Sequence, residues 1–169
     1  VYLGNSQPRF TGGCGFNITY KQFKLVANFY GRYGQKVINM TRLNNESMYG
    51  INNQSTAVLR RWRNEGDMTE IPRALYGEGY NTLGSDRFVE DASYLRMKSV
   101  TLSYSFDKTV LNFFRSGTLY VSGENLLTAT KYLGLDPEFS YSYSETSQGL
   151  DYAKMVQPKS VKFGVNLKF

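Results

Sequence analysis

Val161-Lys-Phe-Gly-Val-Asn-Leu-Lys-Phe169 places an apolar residue at every second position. Val161, Phe163, Val165, Leu167 and Phe169 alternate with Lys162, Gly164, Asn166 and Lys168. A helix would scatter these apolar side chains around its circumference, whereas a strand sets them all on one face. The same period recurs upstream. In 10–20, Phe10, Gly12, Cys14, Phe16, Ile18 and Tyr20 oppose Thr11, Gly13, Gly15, Asn17 and Thr19. Only Lys21 and Gln22 separate this run from Phe23, Leu25, Ala27, Phe29 and Tyr33, which predicts a hairpin with a tight turn; Val26 falls on the polar side. A fourth run covers 94–106, with Val100, Leu102, Tyr104 and Phe106 facing one way and Ser99, Thr101, Ser103 and Ser105 the other. A fifth covers 118–128, with Leu119, Val121 and Leu127 opposing Ser122 and Glu124.

The connections between these five strands predict the architecture. Strand one to two is a tight turn, two to three crosses 39–93, three to four spans 107–117, and four to five spans 129–159. Short and long loops alternate strictly, as in transmembrane barrels with periplasmic turns and long extracellular loops. With both short turns periplasmic, the fifth strand runs downward and ends on the periplasmic side. The fold class read here is all-β: an antiparallel transmembrane β-barrel of which only the last five or so strands are present. Bacterial barrels begin at eight strands and the large plugged transporters have about 22, so five cannot close alone. In the first long loop, 55–64 opens on Ser-Thr, carries helix formers and stops before Gly66, which predicts one short loop helix.

Composition narrows the function. With 14 Tyr, 11 Phe and 16 Gly but only 4 Pro, the chain suits long antiparallel strands. A mean hydropathy of -0.43 is compatible with a barrel, since half of each strand faces a wet lumen and the loops are polar. No apolar run approaches the roughly 20 residues of a spanning helix. There is one cysteine, Cys14, and no histidine, which rules out an internal disulfide, a Cys/His zinc site and a Ser-His-Asp or Cys-His catalytic set built from these residues alone. The formal charge of +6 comes without a basic run, the densest cluster being Arg60, Arg61 and Arg63. We read it as loop solubility or contact with lipid phosphates, not as nucleic-acid binding. The chain opens on loop-like residues without Met, which suggests the interior of a longer protein.

Four blocks resemble one family. Leu119 to Glu138 reads LYVSGENLLTATKYLGLDPE, and Gly123, Asn125, Leu126, Thr128, Lys131, Tyr132, Gly134, Asp136, Pro137 and Glu138 match the SusC/RagA pattern of TonB-dependent outer-membrane transporters. FVEDASYLRMKSVTLSYSF over 88–106, GNSQPRFTGG over 4–13 and the closing strand from Pro158 to Phe169 are similar to the same family and fall in the same order. The resemblance implies that 1–169 is the C-terminal part of a 22-stranded receptor barrel, with plug and N-terminal strands lying elsewhere. It implies an outer-membrane location, energy coupling through TonB by the missing N-terminal part, a SusD-like surface lipoprotein that lids the barrel, and import of oligosaccharides or peptides. No cofactor is implied. The alternative is a soluble β-rich binding or adhesion module, which would keep its apolar faces inward.

Two groups of candidate residues follow. Val161, Phe163, Val165, Leu167 and Phe169 form a terminal strand suited to pair with the barrel-assembly machinery through its free edge. Trp62, Tyr76, Tyr80, Tyr141 and Tyr143 are loop aromatics that could stack on substrate or contact the lid. Asp86, Glu90 and Asp91 lack the spacing of a calcium loop and read as solvated, while Asp136 and Glu138 read as loop structure and not as an acid/base pair.

Overall fold

A computed structural model describes residues 2–107, 115–138 and 148–168. Five strands appear where the alternation puts them: β1 (Phe10–Tyr20), β2 (Phe23–Tyr33), β5 (Tyr94–Asp107), β6 (Ser116–Thr130) and β8 (Ser160–Lys168). They form one antiparallel sheet in the order β1-β2-β5-β6-β8, leaving β1 and β8 as edges. The turn at Lys21 and Gln22 closes in the left-handed region at Lys21 (φ 53), and β1 pairs in register along its whole length, Phe10 with Tyr33 through Tyr20 with Phe23.

The strands run true until one row. Asn28, Ser99 and Glu124 pair across β2, β5 and β6, and so do Tyr30, Arg96 and Thr128. Between those rows β2 spends one residue (Phe29), β5 two (Met97 and Lys98) and β6 three (Asn125, Leu126 and Leu127). Each added residue is a bulge that bends its strand. On β5 the extra residue flips the face, so Leu95 and Met97 join the side occupied by Val100, Leu102 and Tyr104. On β6 Asn125 adopts φ 53, a conformation asparagine tolerates, and Leu126 folds back over Gly123, where a Cβ would overlap it. The Gly-Glu-Asn-Leu block is therefore bulge geometry.

The chain divides into two compact units. The sheet, Pro8–Tyr33, Ser93–Lys131 and Val156–Phe169, is one; Val1–Gln7, Gly34–Ala92 and Tyr132–Met155 make the other. The second contains elements that alternation did not reveal. β3 (Lys36–Asn39), β4 (Val89–Asp91) and β7 (Leu150–Asp151) form a small sheet in the order β4-β3-β7, antiparallel on one side of β3 and parallel on the other. Strands of four residues or fewer are too short to display a period.

The short helix expected in 55–64 is a 3-10 helix, Thr56–Arg60, capped by Ser55 Oγ accepting the Ala57 amide. It ends because Arg61 is extended and the Trp62 amide turns to the Ile71 carbonyl. Among the described residues the α-helix is α1 (Met40–Glu46), where Asn39 Oδ1 accepts the Arg42 amide at 3.0 Å. Two small clusters hold this unit: Val37, Ala92 and Tyr132, and Met48, Val58 and Ile71 with Ala57 packed against them.

Candidate functional site

The faces of the large sheet differ sharply. On one, the rows Ile18–Leu25–Leu102–Val121–Phe163 and Tyr20–Phe23–Tyr104–Leu119–Val165 cross all five strands. These side chains point away from the rest of the unit: Ile18 is 55 %, Phe163 82 % and Val165 58 % exposed. A shallow apolar depression lies among Phe23, Leu102, Leu119, Val121 and Phe163. Cys14 is exposed on this face too. A contiguous exposed apolar surface of this kind marks a face that meets lipid or another apolar partner.

Aromatic rings bound the belt at both ends. Tyr20, Phe23 and Tyr104 lie toward the tight turn, with Phe23 and Tyr104 at 4.9 Å centroid separation, and Phe10 and Tyr33 pair at the far end. Ten residues separate Phe10 from Tyr20, about 33 Å of strand; tilted by about 40°, that spans a height of about 25 Å, the outward apolar band of an outer-membrane barrel.

The opposite face is polar and bonded to itself. Asn28 Nδ2 donates to Ser99 Oγ at 3.0 Å, Ser160 Oγ to Glu124 Oε2 at 2.9 Å, and Lys162 Nζ to Glu124 Oε1 at 2.7 Å. Arg96, nearly inaccessible, donates from Nε to Thr128 Oγ1 at 2.9 Å. Tyr120 lies across Gly164, where a Cβ would overlap its ring.

Of the terminal-strand residues, Val161, Phe163, Val165 and Leu167 all take the apolar face of edge strand β8; Phe169 lies outside the described residues. Among the described residues no strand lies beside the outer edge of β8.

The loop unit is organised by buried charge. Glu46 carboxylate accepts from Arg42 at 2.9 and 3.2 Å and pairs with Arg87. Arg42 also reaches Glu90 Oε1, which takes the Asn39 Nδ2 hydrogen at 3.3 Å, while Glu90 Oε2 accepts the Leu133 amide at 3.0 Å. Glu90 is thus half-buried structure and not the solvated residue its surroundings in sequence suggested. Burial alone would lower the pKa of Arg42, but its bonds to Glu46 and Glu90 outweigh that and hold it above the ordinary range. Tyr132 donates to the buried Asp151 carboxylate; burial first, and that carboxylate second, push its phenol up. Asp136 is buried, and its Oδ1 accepts the Glu138 amide at 2.9 Å, an Asx turn around Pro137. Asp67 accepts the amides of Asn64 and Arg63 at 2.9 Å each, which lowers its pKa. Among the described residues no acidic or cysteine cluster could hold a metal.

The expected loop aromatics are not brought together. Trp62 is half-buried, Tyr76 and Tyr80 are 77 % and 72 % exposed, and Tyr141 and Tyr143 lie outside the described residues. None of Trp62, Tyr76 and Tyr80 lines the cavity of about 380 Å³ in this unit, whose walls come from Asn44, Tyr49, Asn52, Gln54, Thr82 and Tyr152. Tyr49 and Tyr152 escaped the sequence reading because only the fold brings them near.

No protein-family model matches the chain. It is similar to TonB-dependent receptor P3 of Formosa agariphila, 33% identical over 99% of this chain and 17% of that protein. It is also similar to TonB-dependent receptor SusC of Bacteroides thetaiotaomicron, 32% identical over 57% of this chain and 9% of that protein. Among solved structures, the RagAB peptide importer in its 'closed-closed' state superposes with a TM-score of 0.79 at 27% identity, over 97% of this chain and 18% of that one. The 'open-open' state gives 0.74 at 26% identity. The chain therefore spans less than a fifth of the relatives it matches from end to end.

Proposed function

Since the chain is a SusC/RagA-type segment of a TonB-dependent transporter barrel, we propose that it is the C-terminal part of an active nutrient importer of the outer membrane. The observation that carries this reading is the apolar belt crossing five strands, on which Ile18, Phe23, Leu102, Leu119, Phe163 and Val165 are exposed, bounded by aromatic rings. A soluble binding module would bury such a face. In the importer, the polar face lines the lumen, and the long connections reach the outer surface. There they meet oligosaccharide or peptide and a SusD-like lipoprotein. TonB acts on parts of the protein outside this chain. Edge strand β8 offers its unpaired backbone first to the assembly machinery and then to another strand of the barrel, a strand-addition mode suited to both. Names of relatives support uptake over catalysis: one similar structure is a peptide importer and the similar sequences are receptors.

The test is to delete the full-length gene and follow uptake of fluorescent oligosaccharides and peptides, alongside fractionation of the tagged protein. Outer-membrane location with loss of uptake of one class is expected. Recovery in the soluble fraction would sink the reading.

A further inference from the structure

The depression on the apolar face of the large sheet is a groove with walls and a floor. Phe23 on β2 and Phe163 on β8 stand at its sides, three strand spacings or about 14 Å apart. Leu102 of β5 and Leu119 and Val121 of β6 line it between them. Its volume is about 530 Å³, and aliphatic and aromatic side chains supply its surface.

The end of the sheet nearest this groove, where the tight turn lies, is cationic on its outward side. Lys21 in the turn sets its ammonium 5.5 Å from the centroid of the outward Tyr20 ring. Arg115 immediately precedes β6, has the parity of Gly117 and Leu119, and extends the ladder by donating its amide to the Lys168 carbonyl at 2.8 Å. No carboxylate pairs with Lys21 or Arg115 among the described residues. Asp107, at the same end, pairs with Ser116 and so has the parity of the polar face. Between Arg115 and the groove, Gly117 carries no side chain, and the nearly buried Phe106 ring lies across it, where a Cβ would overlap the ring. The way from rim to groove is therefore low.

Leu119 lies four residues from Arg115, about 13 Å of strand and about 10 Å of height at a tilt of about 40°. The groove thus falls in the nearer half of an apolar band about 25 Å tall. Such an arrangement fits an amphiphile whose hydrocarbon lies in the groove and whose negative group meets the rim. In the importer reading this end is periplasmic, and the membrane leaflet there offers phospholipid. A lipid tail gains little by exchanging one hydrocarbon neighbour for another, so the groove places the chain and the cations select the headgroup. We propose that groove and rim together form a site for an anionic phospholipid of the periplasmic leaflet, one acyl chain between Phe23 and Phe163 and the phosphate at Arg115 and Lys21. Each cation at a membrane surface contributes about fivefold in affinity, so the two give a preference of about 25-fold over a zwitterionic lipid. The inference rests on the importer reading and adds to it a specific lipid partner.

The experiment is titration of the detergent-purified full-length receptor with phosphatidylglycerol and, separately, phosphatidylethanolamine, bound lipid being counted by native mass spectrometry. Wild type should prefer phosphatidylglycerol. Arg115→Gln and Lys21→Gln should each weaken its binding about fivefold and leave phosphatidylethanolamine within about twofold. Lys24→Gln removes the same charge from the polar face, where Lys24 pairs with Thr19 and Ser103, and should change neither lipid. Leu119→Trp fills the groove and should weaken both lipids alike. Heat-modifiable gel mobility checks that every variant is folded, and the two exposed rim variants decide the matter if Leu119→Trp is not. Equal binding of the two lipids, a preference indifferent to both Arg115→Gln and Lys21→Gln, or a loss from Lys24→Gln as large as theirs would overturn the site. A folded Leu119→Trp that binds both lipids like wild type would do the same. A receptor that sits in the outer membrane and imports nutrient without this lipid preference leaves the importer standing and removes only this inference; one absent from the outer membrane removes both.

Discussion

Val100 and Thr101 are neighbours in β5 that face opposite sides of the sheet, so the same charge placed at each should have opposite consequences. Val100 pairs with Ala27 and Gly123 on the apolar face, Thr101 with Val26 and Ser122 on the polar one. The outward side chains of β5 run from Leu95 to Phe106, and Val100 lies five and six residues from these ends. That is about 17–20 Å of strand and, after the same tilt of about 40°, about 13–15 Å of depth. A lysine stem reaches about 6 Å, too short to carry its ammonium to either interface. Val100→Lys should therefore meet the full midplane penalty of about 2–4 kcal/mol, a shift of about 30- to 900-fold in the folding equilibrium. Thr101→Lys, facing water, should cost under about 1 kcal/mol. Net charge and denatured-state effects are matched, so the difference isolates the face. The assay is urea unfolding of the full-length receptor in phospholipid vesicles, read by tryptophan fluorescence and heat-modifiable mobility. Equal destabilisation by the two, or a larger loss from Thr101→Lys, would refute the assignment of lipid and lumen sides.

Three further outcomes follow from contacts already described. Gly164→Ala should displace Tyr120 and cost about 1–3 kcal/mol of barrel stability, and clearly less in a Tyr120→Ala background; additive effects in that double-mutant cycle would mean the ring does not rest on the glycine. Glu46→Ala leaves Arg42 and Arg87 without their shared carboxylate, and should cost on the order of 3 kcal/mol, read as faster hydrogen exchange across α1 and β4 in the full receptor. Tyr132→Phe removes the donor to Asp151 and should speed exchange at β3 and β7 at neutral pH. Because the folded phenol titrates above its ordinary value of about 10, its contribution is complete below that pH and fades as pH rises toward and through the folded value. Wild type should thus approach the Tyr132→Phe exchange rate in strongly alkaline solution, and a constant gap would show that the hydrogen bond is not what protects the small sheet.

The large sheet was legible because its signal is long and redundant. Nine or more residues of alternation in each strand leave no other way to gather Phe163, Val165 and Leu167, or Leu102 and Tyr104, on one side. The small sheet had no such voice: four, three and two residues pair across β3, β4 and β7, and Asn39 meets Asp151 only because two distant connections converge. The α-helix Met40–Glu46 was not legible for a related reason. Its start signal is one side chain, Asn39, followed by no apolar period, while 55–64 carries better helix formers that the Trp62 to Ile71 backbone bond draws into extended chain. Loop aromatics were legible as residue types but not as a set, since Tyr49 and Tyr152 meet through the fold while Trp62, Tyr76 and Tyr80 disperse.

The block that carried the resemblance has a physical reason to be irregular. A regular β5 would hold its even residues outward along its whole length and send Arg96 and Tyr94 toward lipid, where a buried guanidinium costs several kcal/mol. The extra residue at Lys98 turns them to the polar face, where Arg96 donates to Thr128. β6 must then absorb the offset to stay paired, and does so with two extra residues, which keeps Leu127 and Ala129 outward in step with Leu119 and Val121. That requires a residue tolerant of the left-handed region at 125 and room at 123 for Leu126 to fold back, which asparagine and glycine supply. Beyond the bulge, Gly134 leaves space for the Tyr132 ring, and Tyr132 reaches Asp151 in the small sheet. One motif thus turns Arg96 to the polar face of the sheet and, a few residues later, brings Tyr132 to Asp151 of the small sheet.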